Sequence, residues 1–568
     1  MATDNKYDRQ LRLWGSNGQR ALMESHILLV GGDSAGTETL KNLVLPGVGH
    51  FTILDEHLLS EADLGSNFFV HASGLGKPRG EVIAELLCEL NSDVRGRAIF
   101  GNLSSAIAAD SNFLSQFNLV VASNMPEAHL LQLSEACWQR NIALLVVRAY
   151  GLLGCVRIQT KCHDIVESKP DGQTAPIVWD LRIADPFPEL LEFCQQVDFA
   201  KLDWTTHMHV PYVVILVSLL AQWRAANNGS VPFTKTEKEA FVEGIKLLTN
   251  STVPADYASY MQAQAAEGKE AKAWPGILEA NNFQEAVKEA YRAYQVVQLP
   301  GELQDLLEQE LGSSSSSTPS PGGDTGVLLR SLHAFMLRSG NRVPLSGQIP
   351  DMFSNTDLFI ALQQLYQNKA AADRALFSSL LAEQLAAVGR NGDAISQETV
   401  DLFCRNIFNL RRVSTRSLAQ EHAEPERDGL LMALEDAKES TSPEPVQAPI
   451  LWYLALRAAD RFYSNQGHWP GAASDDPAVL SEETELVWGE CQKLVAELGV
   501  AEQTADLLTR DHAVEIVRYG AADVHNVGAV LGGIAAQEAV KLITHQYIPI
   551  NNTYFFNGIV CAGKVYEL

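Results

Sequence analysis

The chain is poor in positive charge. Its 43 lysines and arginines face 69 aspartates and glutamates, for a formal net charge of −26. Gripping a nucleic-acid backbone takes clustered cations that displace counterions, so no nucleic-acid partner is expected. The surplus of acid favours solubility and protein partners with basic patches. Paired cysteines are missing too. Cys88, Cys137, Cys155, Cys162, Cys194, Cys404, Cys491 and Cys561 are scattered, with no C-x-x-C among them. That removes the usual zinc frame and argues against a disulfide framework. It fits a reducing interior, and a cytoplasmic location extending to the nucleus is the expectation. Long apolar runs are also lacking. The N-terminus, MATDNKYDRQ, has no signal-like core. The most lipid-like stretch, VPYVVILVSLLAQW at 210–223, is shorter than the roughly 20 residues a membrane span needs. It reads as a buried helix, and no membrane partner is expected.

The rest of the composition is that of a globular protein, 46% hydrophobic and 20% charged. At 568 residues the chain has room for roughly three domains of about 150 residues each. Over 26–160, short β-rich runs (Ile27–Val30, Phe51–Leu54, Ala98–Phe100, Leu119–Ala122, Ala143–Val147) alternate with helical patterns such as PRGEVIAELLCELN and EAHLLQLSEACWQR. That alternation predicts a doubly wound α/β fold with a parallel sheet. From about 180 to 510, apolar spacings of three and four dominate and strand signals nearly vanish. The serine-rich stretch at 312–326 has the composition of a flexible connection, and the acidic, proline-bearing stretches at 421–429 and 436–449 read as surface excursions. After 510, GAVLGGIAAQEAVKLIT predicts a helix. Asn557-Gly558 between apolar runs predicts a hairpin. The expected plan is one Rossmann-like domain, 1–175 and 509–568, interrupted by a large, mostly helical insertion at 176–508.

The first βα turn reads ILLVGGDSAG, and a second apolar run ends in Asp55. This is nearly the dinucleotide fingerprint, in which the second glycine lets the backbone close on a phosphate at a helix N-terminus. Gly31 and Gly36 are in place, but the middle position is Asp33. A carboxylate there adds bulk and repulsion of about 4 kcal/mol against a charge 4 Å away at an effective dielectric of 20. Two readings stay open. Asp33 or Ser34 caps the helix and fills the anion site with the protein's own carboxylate, or a weakened nucleotide site survives with Asp55 reaching a ribose.

The surrounding segments KYDRQLRLWG, LKNLVLPGVG, LGSNFF and GLGKPRGE, with RYGAADVHNVGAVLGGIAAQEAVKLIT and NNTYFFNG near the other end, resemble the adenylation fold of ubiquitin-like-activating enzymes and their bacterial relatives in cofactor sulfur transfer. The similarity runs over nearly the whole chain, including DLRIADPFPEL and GQIPDMFSNTDLFIALQQLY in its middle. It is strongest to the regulatory, non-thioester half of a heterodimeric activator. In active halves of the family, ATP is held by the glycine loop, the aspartate ending the second strand, an arginine, a lysine and a D-x-x-D segment. The matching positions here are Asp33 in the loop, Asp55, Val70, Arg79 and Ala122–Met125, so only Asp55 and a positive charge at Arg79 remain. The resemblance therefore implies a pseudo-adenylation domain that binds no cofactor itself, with ATP and magnesium held by the catalytic partner. It implies that Arg9, in YDRQ, reaches across to the partner's ATP. The other implied partners are a ubiquitin-like modifier and, through the complex, a conjugating enzyme.

Other candidates are weaker. Cys194 and Cys404 fall in the region where the catalytic half carries its thiol, but neither has the electropositive, exposed setting of a reactive cysteine. His207 and His209 form the tightest histidine pair, yet no further ligands are evident and no metal site is expected. The family match makes His209, Asp351, Met352, Phe353, Leu358, Phe359, Leu362 and Gln364 a candidate partner interface, against a core role for the stripe of Leu358, Phe359, Leu362 and Leu365. Gly528, Gly532 and Ala536 give one helix face the small residues that close packing needs. The rival classes are a nicotinamide-dependent oxidoreductase, which needs a working phosphate loop, and the regulatory half of a related activator that lacks the long insertion.

Overall fold

A computed structural model describes residues 6–166, 179–250, 255–267, 281–312, 323–392, 394–423 and 427–568. Most of the serine-rich stretch lies outside them. Two compact units form, Met1–Lys169 with Arg411–Leu568, and Pro170–Leu410.

The first unit is built on a sheet of eight strands: β1 His26–Val30, β2 His50–Asp55, β3 Arg95–Phe100, β4 Leu119–Ser123, β5 Ala143–Tyr150, β6 Leu153–Gln159, β9 Thr553–Asn557 and β10 Ala562–Tyr566. Their order is β10-β9-β6-β5-β4-β1-β2-β3. β1 to β5 pair in parallel, while β6, β9 and β10 extend the sheet antiparallel. All five expected parallel strands are present, and the chain turns between β9 and β10 at the expected Asn557-Gly558. Two short strands, β7 His163–Ile165 and β8 Arg411–Val413, pair with each other.

The helices that matter for the site are α1 Asp8–Glu24, α2 Ser34–Val44, α3 Arg79–Leu90 and α4 Glu127–Gln139, with α7 Pro449–Gln466 and α8 His525–Thr544 from the C-terminal part. α8 is apolar because it is core. It lies on α2 so closely that a Cβ at Gly532 would sit 2.6 Å from the Cβ of Glu38 and 2.9 Å from the Thr39 nitrogen. The small-residue face read from the sequence is that contact. α1 breaks at Gly15, where φ is +67°.

The boundary falls elsewhere than the sequence suggested. Residues 411–508 belong to the sheet-bearing unit, not to the insertion. Trp452, Leu454, Val487 and Leu494 share one core with Tyr150 and Leu153 of β5 and β6 and with Phe555 and Tyr566 of the hairpin. Buried ion pairs reinforce this, Arg148 with Asp460 at 2.6 Å and Arg157 with Glu421 at 2.8 Å. Helical periodicity shows which face is apolar but not which unit it packs on.

The second unit, Pro170–Leu410, is helical among its described residues. Its centre is α5 Tyr212–Ala226, buried throughout from Tyr212 to Leu220, which is the lipid-like stretch of the sequence. Phe241, Phe283, Leu345, Leu362 and Tyr366 complete this core. Leu362 and Tyr366 belong to α6 Thr356–Ala387.

Candidate functional site

In a doubly wound sheet, ligands bind outside the carboxyl ends of the strands where the winding reverses. Here that point lies between β1 and β4, because the chain winds outward from β1 through β2 to β3 and then returns to β4. The turn after β1 is tight. Gly31 has φ +97°, and a Cβ on it would meet the Ser123 carbonyl oxygen at 2.6 Å. Gly36 packs onto the turn, so that a Cβ on it would lie only 2.9 Å from the Gly31 oxygen. Both glycines of the fingerprint are therefore required by the backbone alone, whatever binds there.

Asp33 is the N-cap of α2. One oxygen, Oδ1, accepts the Gly36 N–H at 3.0 Å and the Ser123 hydroxyl at 2.6 Å. A second carboxylate stands beside it, because Asp523 accepts both the backbone N–H of Ser34, at 2.9 Å, and the Ser34 hydroxyl. The free N–H groups of a helix N-terminus are what a phosphate would use. Here two of the protein's own carboxylates take them. Burial pushes the Asp33 carboxyl up to about 6, and the neighbouring Asp523 adds to the effect. Asp523 was invisible to sequence reasoning. The only signal was an acid just ahead of the apolar helix pattern at 525–544.

The two features that remain of a nucleotide site, Asp55 and Arg79, are engaged with each other. Arg79 Nε donates to Asp55 Oδ2 at 2.6 Å and Nη2 to Oδ1 at 3.1 Å, while Nη1 reaches Asp63 at 2.9 Å. His57 adds its backbone N–H and its ring Nδ1 to Asp55. Burial raises the Asp55 carboxyl, but bonds from His57 and Arg79 outweigh it and hold the group below its ordinary value. Burial likewise opposes the Arg79 charge, and Asp55 and Asp63 more than restore it. Val70, at the family's arginine position, is packed into the core. Of the two positions where the lost acids would lie, Ala122 is buried in β4 and Met125 lines the cavity. That cavity is about 300 Å³ in volume, with Val30, Leu54 and Leu103 in its wall. Its residues do not fit a triphosphate. The cradle holds carboxylates, and Arg79, the arginine lining the cavity, is already paired.

Arg9 lies in the first turn of α1, exposed, with no ion pair or hydrogen bond among the described residues. Its neighbour Asp8 pairs with Arg12 instead, at 2.9 Å.

The second unit brings together the residues considered as an interface. The Asn355 N–H donates to the His209 carbonyl at 2.9 Å, and Asn355 caps α6 by accepting from the Leu358 N–H. Asp351, Phe353, Gln364 and His209 are exposed. Met352 and Leu362 are not, at 8% and 0% accessibility, and Leu358 and Phe359 pack against the same core. Met352, just ahead of α6, and Leu362 on it are therefore core residues, which corrects the interface reading for these two, while Leu358 and Phe359 are half-buried and keep part of their surface exposed. Ile360, one position along the helix from the stripe, is 55% exposed and went unremarked in the sequence. His207 is buried and stacked on Phe283, so it does not pair with His209 as a ligand. Among the described residues no group of three His, Cys, Asp or Glu is placed to hold a metal. Burial pushes the thiols of Cys194 and Cys404 up to about 12, too high for a nucleophile at neutral pH.

The chain matches the ThiF family over residues 7–561. It is 35% identical to the NEDD8-activating enzyme E1 regulatory subunit of Xenopus laevis, an alignment covering 100% of this chain and 98% of that one. The protein of the same name from Danio rerio is also 35% identical, with the same coverage. The NEDD8-activating enzyme E1 regulatory subunit AXR1 of Arabidopsis thaliana is 34% identical over 99% of this chain and 96% of its own length.

Proposed function

The chain belongs to the ThiF family and, within it, to the NEDD8-activating enzyme E1 regulatory subunits. On that premise we propose that it is the non-adenylating half of a heterodimer that activates a ubiquitin-like modifier in the neddylation pathway, upstream of cullin modification. The observation that carries this reading is the helix N-terminus of α2, filled by Asp33 and Asp523. A half that adenylates must seat phosphates there, and this one seats its own carboxylates.

The chemistry then belongs to the catalytic subunit, which holds ATP and magnesium. The modifier's C-terminal carboxylate attacks the α-phosphorus and pyrophosphate leaves. A cysteine thiolate of that subunit next takes the acyl group and releases AMP. This chain contributes Arg9, whose unengaged guanidinium is suited to bidentate contact with phosphate oxygens as charge builds on them. It also provides exposed surface around His209, Asp351, Phe353 and Gln364 for partner contacts. The conjugating enzyme meets the complex rather than this chain alone, and the work takes place in the cytoplasm and nucleus. A nicotinamide-dependent oxidoreductase is disfavoured by the same pair of carboxylates, since its cofactor also needs a pyrophosphate cradle.

The test is reconstitution with the catalytic subunit, the modifier and ATP. Thioester should form on the partner's cysteine only when this chain is present, and never on this chain. Thioester formation by the catalytic subunit alone at the full rate would refute the role.

A further inference from the structure

The cavity beside α2 has kept its space while losing its phosphate cradle. It measures about 300 Å³, the low end of the range for small-molecule sites, and opens at the sheet's switch point, where doubly wound folds take nucleotides. Val30, Leu103 and Met125 make part of its lining apolar. The neutral amides of Asn102 and Gln132 also line it. The phosphate end is inverted in charge. Asp33 Oδ1 already accepts two hydrogen bonds, whereas Oδ2 accepts none among the described residues, and the residue lines the cavity. That oxygen calls for an O–H or N–H donor and repels a phosphoryl group. Arg79, the nearest cation, is committed to Asp55 and Asp63.

We propose that this cavity binds an uncharged nucleoside, with the ring against the apolar lining and a sugar hydroxyl donating to Asp33 Oδ2. The proposal rests on the reading that the site has given up its triphosphate, and it adds that the site has changed ligand class instead of closing.

The test is calorimetric titration of the full-length chain with adenosine, AMP and ATP at neutral pH and low salt. Adenosine should bind saturably at one site, with AMP and ATP at least about tenfold weaker because of the charge at Asp33. Asp33→Asn keeps the capping oxygen and removes the charge, so it should narrow that gap. Ser104→Trp, at an exposed position on the cavity wall, should block adenosine while leaving the circular dichroism spectrum and Tm unchanged. If neither adenosine nor ATP binds, the inference falls and the silent-subunit reading stands. If ATP binds as tightly as adenosine, both fall. A gap that stays the same in Asp33→Asn would also overturn the inference, because charge would not be its cause.

Discussion

Asp33→Asn should make the protein more stable at neutral pH, against the usual direction for a change at a buried hydrogen-bonded site. The amide keeps an oxygen to accept from the Gly36 N–H and the Ser123 hydroxyl, at the 3.0 and 2.6 Å positions the carboxylate occupies. It does not keep the charge. Burial and Asp523 raise this carboxyl from 3.8 to about 6, so holding it ionised at pH 7.5 costs up to about 3 kcal/mol. Allowing for solvent in the open cavity, the gain on substitution should be about 1–3 kcal/mol. The sign with pH follows. The native carboxyl binds its proton more tightly than the unfolded one. Stability contributed by the acid is therefore present below about pH 4 and lost as pH rises to about 6. The advantage of the amide should be small at about pH 4, roughly half its full size at pH 5, and constant above about pH 6.5. Urea denaturation of both proteins across that range reads it directly. A variant that is less stable at pH 7.5, or an advantage that does not change with pH, would refute the reasoning. A costly charge retained at this position fits selection for keeping phosphate out rather than for stability.

Arg9→Ala should slow adenylation by the reconstituted complex, read as pyrophosphate exchange, by about tenfold or more while heterodimer assembly is unchanged; a normal exchange rate would remove the role across the interface. Arg79→Ala strands two carboxylates, one of them Asp55 at 1% side-chain exposure, and should cost about 3–5 kcal/mol in urea denaturation; a loss under about 1 kcal/mol would mean the pair is not the clamp described. Gly532→Val drives a side chain into Glu38 and the α2 backbone and should cost about 1–3 kcal/mol or more. Thermal unfolding at the wild-type temperature would contradict that packing.

Much of the site could be read from one short stretch of sequence, because its causes are local. ILLVGGDSAG holds a strand, the turn glycines and the capping acid within ten residues, and each does what its chemistry favours. Asp55 and Arg79 were recognisable as survivors of a ligand site, yet nothing in sequence says two opposite charges will spend themselves on each other. Asp523 reaches Ser34 across nearly the whole chain, and no periodicity encodes such a meeting. The domain boundary failed for a related reason. The α7 pattern has an apolar face as clear as any in the insertion, but its partners, Tyr150, Leu153 and Phe555, lie far away along the chain in both directions. The α6 stripe shows the remaining limit, since spacing of three and four marks a buried face without saying whether the cover is core or partner.

Nucleotide stoichiometry tests the central claim most directly. Labelled, non-hydrolysable ATP should be titrated into this chain alone, into its catalytic partner, and into the assembled heterodimer. The account predicts no tight binding to the isolated chain and one ATP per heterodimer, on the partner. Two ATP molecules per heterodimer, or tight binding to this chain by itself, would contradict it.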